Sequence, residues 1–198
     1  MKGGDPSAVA PRHRVLAIES SCDETAAAVV EGLDVRSSII ASQVKIHAEF
    51  GGVVPELASR HHLDAIVPVI HAALDEANIE LAELDALAVT DSPGLVGALL
   101  VGVMAARGLA MSANLPLLGI HHLEGHLVSP FLGDEERSAR TFERHVALMV
   151  SGGHTELVAV EGFGRYVKLG STRDDAVGEA YDKVSKMLGT GYPGGPVV

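Results

Sequence analysis

His122 and His126 are the residues best placed to do chemistry in this sequence. They stand four apart in the run Gly119-Ile120-His121-His122-Leu123-Glu124-Gly125-His126. On a helix that spacing puts both imidazoles on one face, a turn apart, where they can bind one divalent metal. A pair at this spacing also arises by chance among ten histidines, with both rings in solvent. The order is not that of a zinc protease, because Glu124 follows the first histidine by two positions rather than one. A second feature is Ser151-Gly152-Gly153, between two apolar runs. Glycines let backbone N–H groups come close to a phosphate, although an ordinary hairpin turn looks the same. Cys22, the single cysteine, reads as a small buried thiol rather than a nucleophile. No Ser-His-Asp or Cys-His arrangement stands beside it.

Strands and helices alternate around these residues. Residues 14–20 and 25–31 read as strands joined by a polar turn, with a third strand at 35–42 and a loop at 44–52. Pro55 opens a helix to about Asn78, with Leu57, Leu63, Ile66, Val67, Ile70 and Leu74 as its apolar face and a kink at Pro68. A strand at 85–90 leads to Ser92 and Pro93, a cap and first-turn pair for a helix over 94–113. That helix is apolar nearly all round and is expected to be buried. A strand at 116–120 feeds the histidine helix, so the histidines fall where a parallel strand hands over to a helix. Two further strands, 145–150 and 155–161, flank Ser151-Gly152-Gly153. Asp174 or Asp175 caps a helix to Leu188, and a glycine–proline loop follows. The expected organisation is a disordered lead-in (1–13), a first lobe with the histidine helix (14–132), a charged connection (133–144) and the start of a second lobe (145–198).

Composition bounds the function. With 47% hydrophobic residues, 4% aromatics and no Trp, the core must be built from Ala, Val, Leu and Ile. One cysteine excludes an internal disulfide and fits a reducing cytoplasm. The longest uncharged apolar run, 92–106, is shorter than a bilayer requires, and residues 1–14 lack the apolar centre of a signal peptide. A cytoplasmic protein with no membrane partner is expected. A net charge of −11 argues on composition alone against nucleic acid. The basic islands (Arg12 with Arg14, Arg60 with His61 and His62, Arg137 with Arg140 and Arg144) read as ordinary solvated surface.

An internal repeat links the two ends of the sequence. VLAIESSCDETAAAVVEG (15–32) and VALMVSGGHTELVAVEG (146–162) share one plan: apolar strand, small polar turn, Thr, apolar strand, Glu-Gly. Thr25 matches Thr155. Two such units are what a duplicated nucleotide-binding fold shows, with phosphates clamped between facing turns.

Together, IESSCDETAAAVV, GGVVPELASRHH, TDSPGL through HHLEGHL, VSGGHTEL, GEAYDKVSKMLG and YPGGP resemble the tRNA threonylcarbamoyladenosine synthase catalytic subunits, the TsaD family once called glycoproteases. The resemblance covers about residues 14–196. It implies an α/β fold of the actin-like ATPase kind, two lobes with mixed sheets and flanking helices, the second lobe incomplete. It implies transfer of a threonylcarbamoyl group from threonylcarbamoyl-adenylate to the exocyclic amine of the adenosine beside the anticodon, in tRNAs reading codons that begin with A. On the family's pattern His122 and His126 hold one divalent metal, Fe(2+) or Zn(2+). Met149, Val150, Ser151, Gly152 and Gly153 hold the phosphate of threonylcarbamoyl-AMP or ATP, and Asp182 and Gly195 contact its nucleoside. Ser20, Cys22, Asp23, Glu24 and Thr25 form the first-lobe turn at the same cleft. The implied partners are tRNA, a paralogous actin-like scaffold subunit and a small P-loop ATPase subunit.

The family takes an aspartate ligand and a substrate-contacting asparagine from a region after YPGGP that this sequence lacks, so a shortened form of a longer protein is expected. Met149 stands where archaeal and eukaryotic members have tyrosine, which points to the bacterial type. Three other readings are a non-catalytic actin-like scaffold, an actin-like sugar or acid kinase, and a metalloprotease. The histidine pair argues against the first, Asp23 is the one carboxylate available to the second, and motif order argues against the third.

Overall fold

The computed structural model describes residues 12–133 and 142–198. The expected lead-in, up to residue 11, and the charged connection at 134–141 lie outside the described residues, as do Arg137 and Arg140.

Strands β1 (Arg14–Glu19), β2 (Glu24–Glu31) and β3 (Asp34–Ser42) form an antiparallel meander. β4 (Ala86–Ser92) pairs parallel to β1, and β5 (Leu117–His121) parallel to β4, giving the order β3-β2-β1-β4-β5. Parallel neighbours need crossovers, supplied by α2 (Pro55–Ala77) and α3 (Val96–Ala113). Strand alternation turns Leu16, Ile18, Ala27, Val29, Leu87 and Val89 toward those helices, where Ile66, Ile70, Ala73, Ala106 and Ala110 meet them. Burying each large aliphatic chain is worth about 1.5–3 kcal/mol.

Helix α2 starts at Pro55, where the missing N–H costs nothing, and closes on Asn78 in the left-handed conformation (φ 52°). Its buried stripe runs through Ala58, His62, Ile66, Ile70, Ala73 and Ala77. Leu63 and Val67, expected on that face, are exposed, because the side that meets the sheet runs through His62, Ile66, Val69 and Ile70 instead. Residues 44–52 are not all loop: Val44–Ala48 form the short helix α1. Ser92 is the last residue of β4, not a helix cap; its hydroxyl donates to Asp91 (2.9 Å), and the helix starts at Val96. Nor is α3 buried all round. Ala98, Gly102, Ala106 and Ala110 face inward, while Val96, Leu100, Met104 and Met111 are exposed. By length and composition α3 is apolar enough to cross a membrane, although here its inward stripe completes the core.

β5 passes without a spacer into α4 (His122–Val128), followed by a 3-10 turn, Ser129–Phe131. The second sheet is the antiparallel meander β6 (His145–Val150), β7 (Thr155–Gly162) and β8 (Arg165–Ser171), followed by α5 (Val177–Leu188). Neither Asp174 nor Asp175 caps α5. The carboxylate of Asp175 is taken by Lys183 (2.6 Å), and the first helical N–H, at Val177, donates to Thr155 Oγ1 (2.9 Å). Leu127 of α4 packs with Val158 and Val160, and Tyr166 donates its hydroxyl to Glu124 (2.9 Å). The histidine helix is therefore held between the two sheets.

Candidate active site

His122 opens α4 and His126 lies one turn on, so the chain path from β5 fixes both. Their Nε2 atoms are 3.1 Å apart, with the rings edge to face at 85°. Two nitrogens bound at about 2.0–2.1 Å to one ion, this far apart, subtend about 100° at it, between tetrahedral and octahedral angles. The other nitrogen of His122, Nδ1, lies 3.0 Å from Glu19 Oε2. An ionised carboxylate only accepts, so Nδ1 carries the proton and Nε2 offers its lone pair toward His126.

Glu19 ends β1, alongside β4. Thr90 Oγ1 donates to its Oε2 (2.6 Å) and Ser21 N–H to its Oε1. Burial alone would raise the Glu19 pKa, but the hydrogen bonds from His122, Ser21 and Thr90 prevail and hold it at about 2. Burial lowers the His126 pKa, and a proton there is further disfavoured by His122 and His154. His126 thus favours the neutral form that ligates metal. Among the described residues no group of three or more His, Cys, Asp or Glu side chains could hold a metal. The pair fits two positions of a coordination shell, with Glu19 as the outer carboxylate.

The β1–β2 turn is pinned from inside. Ser20 Oγ donates to the Ala98 carbonyl (2.8 Å) and accepts from Gly102 N–H (3.1 Å), while Thr25 Oγ1 lies 2.7 Å from His62 Nδ1. Both side chains are fully buried, which corrects the expectation that they line the cleft. Ser21 Oγ reaches His122 Nδ1 (3.2 Å). Asp23 is partly exposed and Glu24 exposed. Cys22 is exposed rather than buried. Close packing and the carboxylates of Asp23, Glu19 and Glu24 push its thiol up to about 12, so it is no thiolate nucleophile. His62 is buried and cannot join a basic surface island, and Arg12, Arg14 and Arg60 pair with Asp34, Glu31 and Glu56.

The matching turn of the second sheet is closed by Ser151 N–H to the His154 carbonyl (2.8 Å) and His154 N–H to Ser151 Oγ (3.0 Å). Neither closure uses the N–H of Gly152 or Gly153. A Cβ at either position would meet only open space, and neither has a positive φ. Helix α5 begins against this turn, Gly178 N–H donating to the Ser151 carbonyl (3.1 Å), where a Cβ would stand 2.6 Å from that carbonyl. Met149 points inward beside Leu127, and Val150 is exposed. Asp182 accepts the Gly194 N–H (2.7 Å) and so holds the loop carrying exposed Gly195. In that loop burial, with the Asp23 and Asp182 carboxylates, raises the Tyr192 pKa to about 12.

Glu19, Ser21 and Thr90 were not legible as site residues in the sequence, where Glu19 looks like the end of an apolar strand. Only the alignment of β1 with β4, and of β4 with β5, brings it to His122.

The chain is similar to the tRNA N6-adenosine threonylcarbamoyltransferase of Trichlorobacter lovleyi, 60% identical over 185 residues that make up 93% of this chain and 53% of the relative. It is likewise 60% identical over 193 residues to that of Magnetococcus marinus, covering 93% and 54%. The chain thus spans about half the length of the curated relatives it matches. Among solved structures it is similar to YeaZ from Pseudomonas aeruginosa, with TM-score 0.52 and 20% identity over 80% of this chain and 65% of that one. It is also similar to ethanolamine utilization protein EutJ from Carboxydothermus hydrogenoformans, with TM-score 0.50 and 14% identity over 91% and 58%. With these it shares the actin-like ATPase fold. The family model described as tRNA N6-adenosine threonylcarbamoyltransferase matches residues 34–198, and the chain belongs to that family, TsaD.

Proposed function

We propose that the whole protein transfers the threonylcarbamoyl group from threonylcarbamoyl-adenylate to the exocyclic amine of the adenosine beside the anticodon, in tRNAs reading codons that begin with A. The observation that carries this reading is the convergence of His122 and His126 Nε2, backed by Glu19, in a chain of this family. In the reaction the amine nitrogen bonds to the carbamoyl carbon, the carbon–oxygen bond to phosphate breaks, AMP leaves and the amine gives up a proton.

An amine conjugated into a purine is a weak nucleophile, so activation must come from the acyl donor. His122 and His126 would hold one divalent ion, Fe(2+) or Zn(2+), which when bound supplies Lewis acidity and a template for substrate oxygens. The N–H groups of Gly152 and Gly153, which neither closure of the turn uses, would stabilise charge growing on the leaving phosphate. Nothing in their own backbone or surroundings requires glycine, whereas a phosphate close to the main chain does. Met149, Val150 and Ser151 fix that turn, and Asp182 and Gly195 take the nucleoside side. Asp23 and Glu24 border the cleft from the first turn.

The partners in this reading are tRNA, a paralogous actin-like subunit and a small P-loop ATPase subunit, in the cytoplasm. The test is to incubate the full-length protein and its partner subunits with threonylcarbamoyl-adenylate and unmodified tRNA, then digest the tRNA and weigh its nucleosides. Threonylcarbamoyladenosine is expected; its absence with active partners would overturn the reading.

A further inference from the structure

We infer that His62, braced by Gln43 and His47, is a positioning residue that sets the β1–β2 turn for transfer. This rests on the proposed reaction. His62 and His47 are fully buried and lie outside the metal pair. His62 Nε2 is 3.1 Å from the Cys22 carbonyl. A carbonyl only accepts, so Nε2 carries the proton and Nδ1 accepts from the Thr25 hydroxyl (2.7 Å). Val54 N–H donates to His47 Nδ1 (3.3 Å), so His47 Nε2 donates to Gln43 Oε1 (3.1 Å). That bond orients the Gln43 amide, whose Nε2 faces the Ala58 carbonyl (3.4 Å) and His62 Nδ1 (3.5 Å). One set of tautomers, with both rings neutral, satisfies these groups: the Thr25 hydroxyl takes the single lone pair of His62 Nδ1, and the Gln43 amide donates to the Ala58 carbonyl.

The consequence falls on the turn. Three successive carbonyls are held by three separate segments: Ser21 by Leu95 N–H (2.8 Å), Cys22 by His62, and Asp23 by Gln43 N–H (3.0 Å). The first and third grips come from main chain, and only the middle one comes from a side chain. This clamp keeps Ser21 Oγ on His122 Nδ1.

The experiment compares His62→Gln and His62→Leu in the full-length protein with its partners. A glutamine amide can donate to the Cys22 carbonyl and accept from Thr25; leucine can do neither. His62→Leu is expected to lower kcat at least about tenfold with KM for tRNA unchanged, since small misplacements at a site cost this much. His62→Gln should stay within about threefold of wild type on the same grounds. Equal losses in both variants, or none in His62→Leu, would overturn the inference. Should His62→Leu not fold, Thr25→Val against Thr25→Ser poses the same question: loss in the first alone supports the clamp, and equal behaviour contradicts it. Hydrogen exchange of the peptide over residues 19–26 gives a readout independent of turnover. Faster exchange in His62→Leu but not in His62→Gln supports the clamp, and unchanged exchange sinks it, even where wild type itself shows no transfer and the proposed reaction fails.

Discussion

Glu19 Oε2 stands 3.0 Å from His122 Nδ1, and this contact decides which ring nitrogen faces His126. The carboxylate is prepared for the task by Thr90 and Ser21, which hold it ionised. An outer carboxylate of this kind fixes ring orientation and raises ligand basicity. Glu19→Gln in the full-length protein should therefore weaken metal binding by about 10–100-fold, measured by competition with a chelating indicator. Unchanged affinity would mean that the carboxylate plays no part in holding the ring.

Gly152→Val tests the second turn. A Cβ added here has no neighbouring atom within 4 Å, so thermal stability should shift by no more than a surface substitution does, within about 0.5 kcal/mol. Affinity for ATP, by calorimetry, should fall at least about tenfold, the loss of one or two strong hydrogen bonds to a charged group. A stable variant that binds ATP normally would remove Gly152 from the phosphate site.

The raised pKa of Tyr192 has a consequence at high pH. Burial, Asp23 and Asp182 raise its pKa to about 12, above the ordinary value of 10.0. Between those values the unfolded chain gives up this proton and the folded chain keeps it, so stability falls as pH rises through that window. Tyr192 should ionise late in an absorbance titration, as should Tyr166, whose pKa burial and Glu124 also raise, and Asp23→Asn should bring the Tyr192 transition down. A Tyr192 transition at its ordinary value in wild type would show that neither burial nor the two carboxylates act on this phenol.

Leu87 is fully buried in β4 between the strand partners and the helices. Leu87→Ala should cost about 2–5 kcal/mol in denaturant unfolding, from lost transfer energy plus the cavity left behind. A loss below about 0.5 kcal/mol, the size of a surface change, would place the core elsewhere.

The order of strands and helices was legible because β-branched alternation and the Pro55 and Asn78 signals are local. The repeat was legible for the same reason, and the structure adds to it: Thr25 and Thr155 each tie their hairpin to a helix, through His62 and the Val177 N–H respectively. What failed was decided by contacts that compete with a residue's usual role. Ser92 and Asp175 look like caps, but Asp91 and Lys183 engage them. Leu63 and Leu100 look like core residues, but His62 and Ile66 on α2, and Ala98 and Gly102 on α3, take the inward side instead. The histidine pair could be read from a four-residue spacing. Glu19 could not, since it lies more than a hundred residues away from His122 along the chain.

The most direct measurement is metal content together with threonylcarbamoyl transfer in the full-length protein carrying His122→Ala or His126→Ala. Both variants should fold, bind less metal and lose transfer, because each removes one of two converging Nε2 ligands. Normal metal content and normal transfer in both would contradict the site described here.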